Sequence, residues 1–284
     1  MILASGKLGF HVLNNFDYKW HIAAIGTDSN SYEVIEYAKT KNIPLFIGNP
    51  RDGRLSFFLK NIQSSILFSV NYLFLLEPDV LELFKFPLNI HGSLLPKYRG
   101  RSPHIWSIIN NEKKTGITTH LIDNGCDTGK IIFQKEIKIS NKDTGNSILQ
   151  KYFKYYPEII KNTLEMVSSG KMHLVTQNEK YATKYGKRTP SDGKINWEWQ
   201  KERIYNWVRA LSNPYPGAFT FYDNTKLVID EIKYCEIGYE SILPNGIILS
   251  VKPNIIVKTP NGLIEIIKFR EDYSLDFRIN EILK

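Results

Sequence analysis

"PLNIHGSLLPKYRGRSP", residues 87–103, decides how the rest of the chain is read. Its first part, PLNIHGS (87–93), has the length and apolar character of a strand, yet it carries an amide and an imidazole. Asn89 and His91 stand two apart, so on a strand their side chains share one face. Gly92 lets the chain turn away directly after them. The second part is a basic, Gly-broken loop with Lys97, Arg99 and Arg101 around Gly100. A strand that ends in polar side chains and runs into a cationic loop suits an open α/β sheet, where ligands gather outside the carboxyl ends of the strands.

The flanking sequence has the same grammar. Upstream, ILA (2–4), HIAAIGT (21–27), IPLFIG (43–48) and SSILFSV (64–70) read as strands. Between them lie helical patterns near 9–15, 31–42 and 52–62, and PDVLELF (78–84) reads as a short helix with Pro at its start. Downstream come a helix at PHIWSIINNE (103–112), then strands at GITTHLID (116–123) and GKIIFQKEIKI (129–139). A long helix covers 144–170, with Pro157 as a kink or restart. Strands alternating with helices predict a Rossmann-like, mostly parallel sheet with helices on both faces. After GKRTPSDG (186–193), a linker-like stretch, the texture changes. KLVIDEI, GIILSV, NIIVKT and LIEIIKF are short runs set off by Gly, Pro and Asn, which fit a smaller β-rich, barrel-like module. The expected domains are 1–185 and 186–284.

Composition narrows the class. The chain has 284 residues, 42% hydrophobic and 23% charged, as a folded globule should. No apolar run approaches the roughly 20 residues that span a bilayer, and MILASGKLGF reads as a strand and not as a secretion signal. A cytoplasmic location without membrane contact is the expectation. Two cysteines, Cys126 and Cys235, give no disulfide framework and no zinc spacing. The formal net charge of +8 points to an anionic partner without choosing among nucleic acid, a phosphorylated small molecule and a polyanionic cofactor.

A carboxylate completes the set of candidate groups. In DNGCDTG (123–129), Gly125 and Gly129 bracket Asp127 in a loop between two predicted strands. The separation from His91 leaves room for one helix and one strand, so the loop can return beside it. A carboxylate can orient an imidazole, and imidazolium and amide can both donate to an oxygen that becomes negative. That kit suits direct acyl transfer to an amine with no side-chain nucleophile. Other arrangements are weaker. Ser93 lacks the G-x-S-x-G elbow, Cys126 has no implied His partner, and His91, His104 and His120 lack metal-ligand spacing, so no metal is expected. SGKLG (5–9) is only a fragment of a phosphate-binding glycine loop and reads as a tight turn.

N-I-H-G-S-L-L-P-K-Y-R-G-R-S-P followed by D-N-G-C-D-T-G-K-I closely resembles the folate-dependent formyltransferases, over most of residues 1 to 230. The resemblance implies Asn89, His91 and Asp127 as the catalytic set and N10-formyltetrahydrofolate as formyl donor. It also implies that the pterin lies against Val70, Asn71, Tyr72, Gly125 and Cys126. Methionyl-tRNA formyltransferases share the motif and a β-barrel tail, but usually carry a longer basic insertion where this chain has TDSNSYEVIEYAKTKNIPLF. Glycinamide ribonucleotide formyltransferases lack a C-terminal domain. GKRTPSDGKINWEWQKERIYNWVRALSNPYPGAFTF (186–221) is most similar to the sugar-nucleotide N-formyltransferases, in particular to the formyltransferase part of the enzyme that modifies aminoarabinose in polymyxin resistance. The acceptor implied is a nucleotide-linked amino sugar of the kind used for lipopolysaccharide or O-antigen, with methionyl-tRNA as the alternative and a non-catalytic sugar-nucleotide binding module as a third reading. No nucleic-acid partner is expected under the first reading, and a homodimer is possible. Lys97, Tyr98, Arg101 and Arg188 are the candidate acceptor contacts. Arg99 and Arg101 either meet the ligand's anionic groups or pair with a carboxylate to pin the loop.

Overall fold

The chain begins with the strand β1 (Ile2–Ala4), all three residues buried. β2 (Ile25–Thr27), β3 (Leu45–Ile47), β4 (Ile66–Val70) and β5 (Phe86–His91) follow in a computed structural model that describes residues 1–17 and 19–284. β6 (Arg99–Gly100) is a two-residue strand outside the main sheet, and β7 (Lys114–Leu121) and β8 (Ile131–Lys138) complete that sheet. β9 (Lys184–Tyr185) pairs in parallel with β6. The main sheet has the order β3-β2-β1-β4-β5-β7-β8. Every pair up to β5 is parallel, and β7 lies antiparallel to β5. The order reverses direction at β1, and in open sheets ligands bind outside the carboxyl ends of the strands at such a point.

These strands belong to a unit made of Met1–Pro103, Thr115–Ile137 and Gln150–Tyr185. Their apolar residues do not alternate with polar ones because parallel strands are covered on both faces. Met1, Leu3, Ala24 and Leu67 form one core cluster with Leu55, Leu59, Val80 and Phe84 from the connections after β3 and β4. The helix α1 (Gly6–Asn14) starts directly after β1, three residues before the expected position. At its Gly9 a Cβ would lie 3.0 Å from the Ala4 Cβ, so any side chain there would press β1 and the helix apart by a few tenths of an ångström. α2 (Tyr32–Thr40), α3 (Arg54–Leu59), α4 (Pro78–Leu81) and α5 (Pro103–Ile109) fall within the predicted segments. α6 (Gly145–Ser168) runs through Pro157 as one helix, and Ile148, Tyr152, Tyr156, Ile159 and Leu164 on it are buried. Steps of four, four, three and five residues keep those side chains on the inward side of the helix.

The second unit comprises His104–Lys114, Lys138–Leu149 and Gly186–Lys284. Its main segment starts where the linker-like stretch was read, but it also takes in two segments from the first half of the chain. α7 (Lys201–Leu211) belongs to it and was not foreseen. So does an antiparallel sheet of order β10-β11-β14-β13-β12, built from β10 (Ala218–Tyr222), β11 (Thr225–Cys235), β12 (Ile248–Ser250), β13 (Ile255–Thr259) and β14 (Gly262–Phe269). The final residues complete the curl of this sheet. Phe221 and Lys284 exchange backbone hydrogen bonds at 2.8 and 2.9 Å, while Ile248 donates to Glu281 and Leu283 donates to Gly246. The peptide 281–284 thus joins β10 to the β12 side, and Leu283 is 2% exposed. The stretch Pro190–Gly193 is a capped turn: the Thr189 backbone N–H and hydroxyl both meet the Asp192 carboxylate.

Candidate active site

β5 delivers Asn89 and His91 to the carboxyl end of the sheet. β7 adds a third polar side chain there. In the β5–β7 register Asn89 lies directly opposite His120, so the two side chains meet on one face. Asn89 Nδ2 is 3.1 Å from His120 Nε2 and 3.3 Å from Asp127 Oδ1. His120 Nδ1 lies 2.7 Å from the Leu121 carbonyl, which can only accept, so Nδ1 carries a hydrogen and the Nε2 lone pair can receive Asn89. His91 is fixed in the same manner: Nε2 donates to the Tyr98 carbonyl at 2.7 Å. That leaves its Nδ1 facing Asp127 Oδ2 at 3.6 Å.

Asp127 is the hub. Its Oδ2 accepts the Gly100 backbone N–H at 2.8 Å and lies 3.5 Å from Cys126 Sγ; its Oδ1 is 3.6 Å from His120 Nε2. Burial raises the carboxyl's proton affinity. The His91 charge, the neighbouring His120 ring and the Gly100 N–H outweigh it, and hold the group well below the usual carboxylate range. Its backbone sits in the left-handed region with φ of 57°, which Asp tolerates better than most residues.

A clamp holds that conformation. Gln177, 6% exposed, donates Nε2 to the carbonyls of both Asp127 and Gly129 at 2.8 Å. Its Oε1 accepts from Arg99 Nε and Nη2 at 3.1 and 2.8 Å, and Arg99 forks onto Glu179 at 2.9 and 2.7 Å. Of the two readings of Arg99, the carboxylate pair is the one present. Gly129 has to be glycine because a Cβ there would sit 1.8 Å from the Leu121 oxygen. The chain bends at Gly92, directly after the strand, as expected. Gly92 does not stand among the positive-φ glycines; instead a Cβ would meet the Tyr152 ring at 2.6 Å. The Tyr152 hydroxyl donates to the Gly92 carbonyl, so the glycine makes room for a buried ring.

The other sequence candidates lie as follows. Val70 is buried and its carbonyl accepts the Ser5 N–H, while Asn71 Nδ2 donates to the Ser5 carbonyl at 3.0 Å. Tyr72 has an enclosed hydroxyl with no partner among the described residues. Arg101 Nη2 donates to the Leu73 carbonyl at 2.7 Å, and its charge also reaches the Cys126 thiol, so the 70–75 and 125–127 segments approach one another. Burial, then Asp127, pushes that thiol up, which leaves Cys126 a poor nucleophile. Leu73 and Leu75 are exposed. Tyr98 is buried and stacked on Tyr185 at 5.1 Å, and Lys97 is exposed. Arg188 lies in the second unit, its guanidinium 5.1 Å from the Trp106 ring and 4.4 Å from Trp207. No group of three or more His, Cys, Asp or Glu among the described residues is placed to hold a metal ion.

His120 and Gln177 were not picked out as functional from the sequence. The signal for His120 was its place on GITTHLID, but its partner depends on the antiparallel register with β5. Gln177 lies outside every predicted element, and nothing local marks it.

Residues 11–164 match the sequence model of the family described as formyl transferase, and residues 187–283 match that of the formyl transferase C-terminal domain. The chain belongs to the formyl transferase family. Among curated proteins, this family member is 36% identical over 253 residues to the bifunctional polymyxin resistance protein ArnA of Wigglesworthia glossinidia brevipalpis. The match takes in 88% of this chain and 38% of that protein, so the chain spans well under half of its relative's length. Among solved structures, WlaRD, a sugar 3N-formyl transferase crystallised with dTDP and 5-N-formyl-THF, superposes with a TM-score of 0.74 at 23% identity, covering 96% of this chain and 97% of the other. An N-formyltransferase from Helicobacter canadensis, in complex with folinic acid and dTDP-3-aminofucose, gives 0.73 at 22% identity, with 93% and 97% covered. At those identities the superpositions establish the shared fold.

Proposed function

We propose that this formyl transferase family member moves a formyl group from N10-formyltetrahydrofolate to the amine of a nucleotide-linked amino sugar, with Asn89, His91 and Asp127 as the catalytic residues. The observation that carries the reading is the convergence of an amide, an imidazole and an ionised carboxylate within 3.6 Å contacts at the sheet's carboxyl end. The ligands of WlaRD and of the Helicobacter enzyme support the donor and the acceptor class.

When bound, the folate supplies the formyl carbon. The segment 70–75 and the loop at Gly125 and Cys126 are suited to hold its ring: Leu73 and Leu75 present apolar surface, and the Tyr72 hydroxyl lacks a partner. Asn89 has two N–H groups, one on His120 and one on Asp127 at the longer 3.3 Å. The longer contact is the one a formyl oxygen can take over. His91 has given Nε2–H to Tyr98, so in its imidazolium form Nδ1–H is the donor that remains. These two donors meet the negative charge that develops on that oxygen as the amine attacks, the part an oxyanion hole plays. Asp127 keeps its charge beside Nδ1 and so favours a hydrogen there. Its weak proton affinity keeps it from retaining the proton shed by the amine; that proton passes through Asp127 or a neighbouring water, and an equivalent one ends on N10 of the donor as the bond between N10 and the formyl carbon breaks and tetrahydrofolate leaves.

A mass-spectrometric screen of dTDP-, UDP- and GDP-linked amino sugars with the folate donor tests the reading; one product should gain a single formyl group. Formylation of methionyl-tRNA, with every sugar left unchanged, would replace the acceptor. No transfer to either would remove the enzyme assignment.

A further inference from the structure

The second unit contains a cavity of about 740 Å³, and no part of the proposed formyl-transfer chemistry uses it. Its volume is in the range that takes drug-sized ligands. α7 and β11 form much of the wall, together with the residues before β7 and before α6.

Arg209 on α7 is the group that demands explanation. It is 8% exposed and lines this cavity. Its Nε donates to Asn206 Oδ1 at 2.8 Å, and its Nη1 donates to the Ser140 and Asp143 carbonyls at 3.2 and 2.5 Å. Three bonds therefore fix the plane of the guanidinium. Its Nη2 makes no hydrogen bond with any described residue, so a pre-oriented pair of N–H donors is left for an occupant. Asp143 lies close enough to offset part of the charge, but its carboxylate is already taken by the Ser140 N–H and the Ser147 hydroxyl. Lys142, exposed and without a salt bridge among the described residues, and Lys113 add positive charge to the lining.

Beside these cations stands an aromatic pair. The Tyr205 and Tyr234 rings are 5.0 Å apart at 40°, and Tyr234 is 39% exposed. An exposed ring over a cavity is a platform on which a flat heterocycle can stack. The lining also carries Glu202, Asp230 and Glu231. Asp230 is matched by a fork from Arg270 at 3.1 and 2.6 Å. Glu202 accepts from Asn261 through one oxygen and keeps the other free for a hydroxyl. Carboxylates in the wall disfavour a long polyanion, whereas a ligand with one phosphate, hydroxyls and a ring satisfies cations, carboxylates and tyrosines together.

We propose that this cavity is a binding site for a nucleoside phosphate, with the phosphate on Arg209 and Lys142, the base on Tyr234 and the sugar hydroxyls toward Glu202. The site is separate from the formyl-transfer reading and stands or falls without it.

Calorimetric titration of the full chain with uridine 5′-monophosphate, thymidine 5′-monophosphate and inorganic phosphate tests the proposal. Tyr234→Ala and Lys142→Glu change exposed side chains and should leave the melting temperature unchanged. Each should remove or weaken at least fivefold one nucleotide-binding component, with formyl transfer at saturating substrates unaltered. Nucleotide binding that is identical in wild type and both variants overturns the site. Phosphate binding as tightly as the nucleotides, undisturbed by Tyr234→Ala, overturns the nucleoside assignment and leaves a bare anion site.

Discussion

Gly100 donates its backbone N–H to Asp127 Oδ2 at 2.8 Å, and it can do so only as glycine. Its φ is 94°, and a Cβ would stand 2.3 Å from the Tyr185 carbonyl oxygen, a backbone atom that cannot swing aside. Gly100→Ala should therefore strain the loop, shift the donor and cost about 1–3 kcal/mol of stability. Single-turnover formyl transfer should slow by about tenfold or more, and urea unfolding should report the stability loss.

Removing either proposed oxyanion donor should be felt in the chemical step. Asn89→Ala and His91→Ala are each expected to lower kcat by about 10²–10³-fold, the usual cost of one such donor. Circular dichroism should remain that of the wild type. A His91→Ala variant that turns over near normally with saturating substrates would remove His91 from the mechanism.

Gln177 should behave as a positioning residue for Asp127. Gln177→Leu leaves two backbone carbonyls and the inner edge of Arg99 without their partner, at about 1–3 kcal/mol for a buried unsatisfied group. The expected signature is a lower kcat with little change in KM, because Asp127 moves while the ligand contacts stay. Equal loss of both, or of neither, would argue against the role.

His104 makes stability sensitive to mild acid. Burial lowers its pKa from the ordinary 6.5 to about 4, and Nε2 lies 2.9 Å from the Tyr215 hydroxyl. The unfolded chain therefore takes up the proton first as pH drops. Stability is full above about pH 6.5 and declines through the window down to about pH 4, by about 3 kcal/mol in all. Asp127 acts lower on the scale: its depressed pKa contributes stability that is present above about pH 4 and is lost only in stronger acid. Denaturant midpoints at pH 7 and pH 5 should therefore converge in His104→Phe and differ in the wild type.

Much of the architecture could be read from periodicity. The strand–helix alternation of residues 1–140 reflects burial on both faces of a sheet, a local property of each apolar run. The Asn89–His91 pair was legible because side chains on a strand repeat every second residue. Two kinds of information were out of reach. One is register: His120 stands opposite Asn89 only because β7 turns antiparallel, and no residue of GITTHLID announces that. The other is the fate of long polar side chains. Arg99 looked as available as Lys97, yet it is buried against Gln177 and Glu179, contacts supplied from nearly eighty residues away. α7 escaped for a related reason. Its stripe buries Asn206 and Arg209 alongside Trp207 and Leu211, so the sequence does not separate an apolar face from a polar one.

The strand formed by residues 281–284 has a consequence for behaviour in concentrated solution. A five-stranded antiparallel sheet exposes unpaired amides and carbonyls along both borders, and such borders recruit strands from other molecules into aggregates. Here the same short peptide occupies one border at Phe221 and lies along the other at Gly246 and Ile248. Substitutions that loosen its anchor, Leu283, should thus show themselves first as turbidity and precipitation, before any measurable change in turnover.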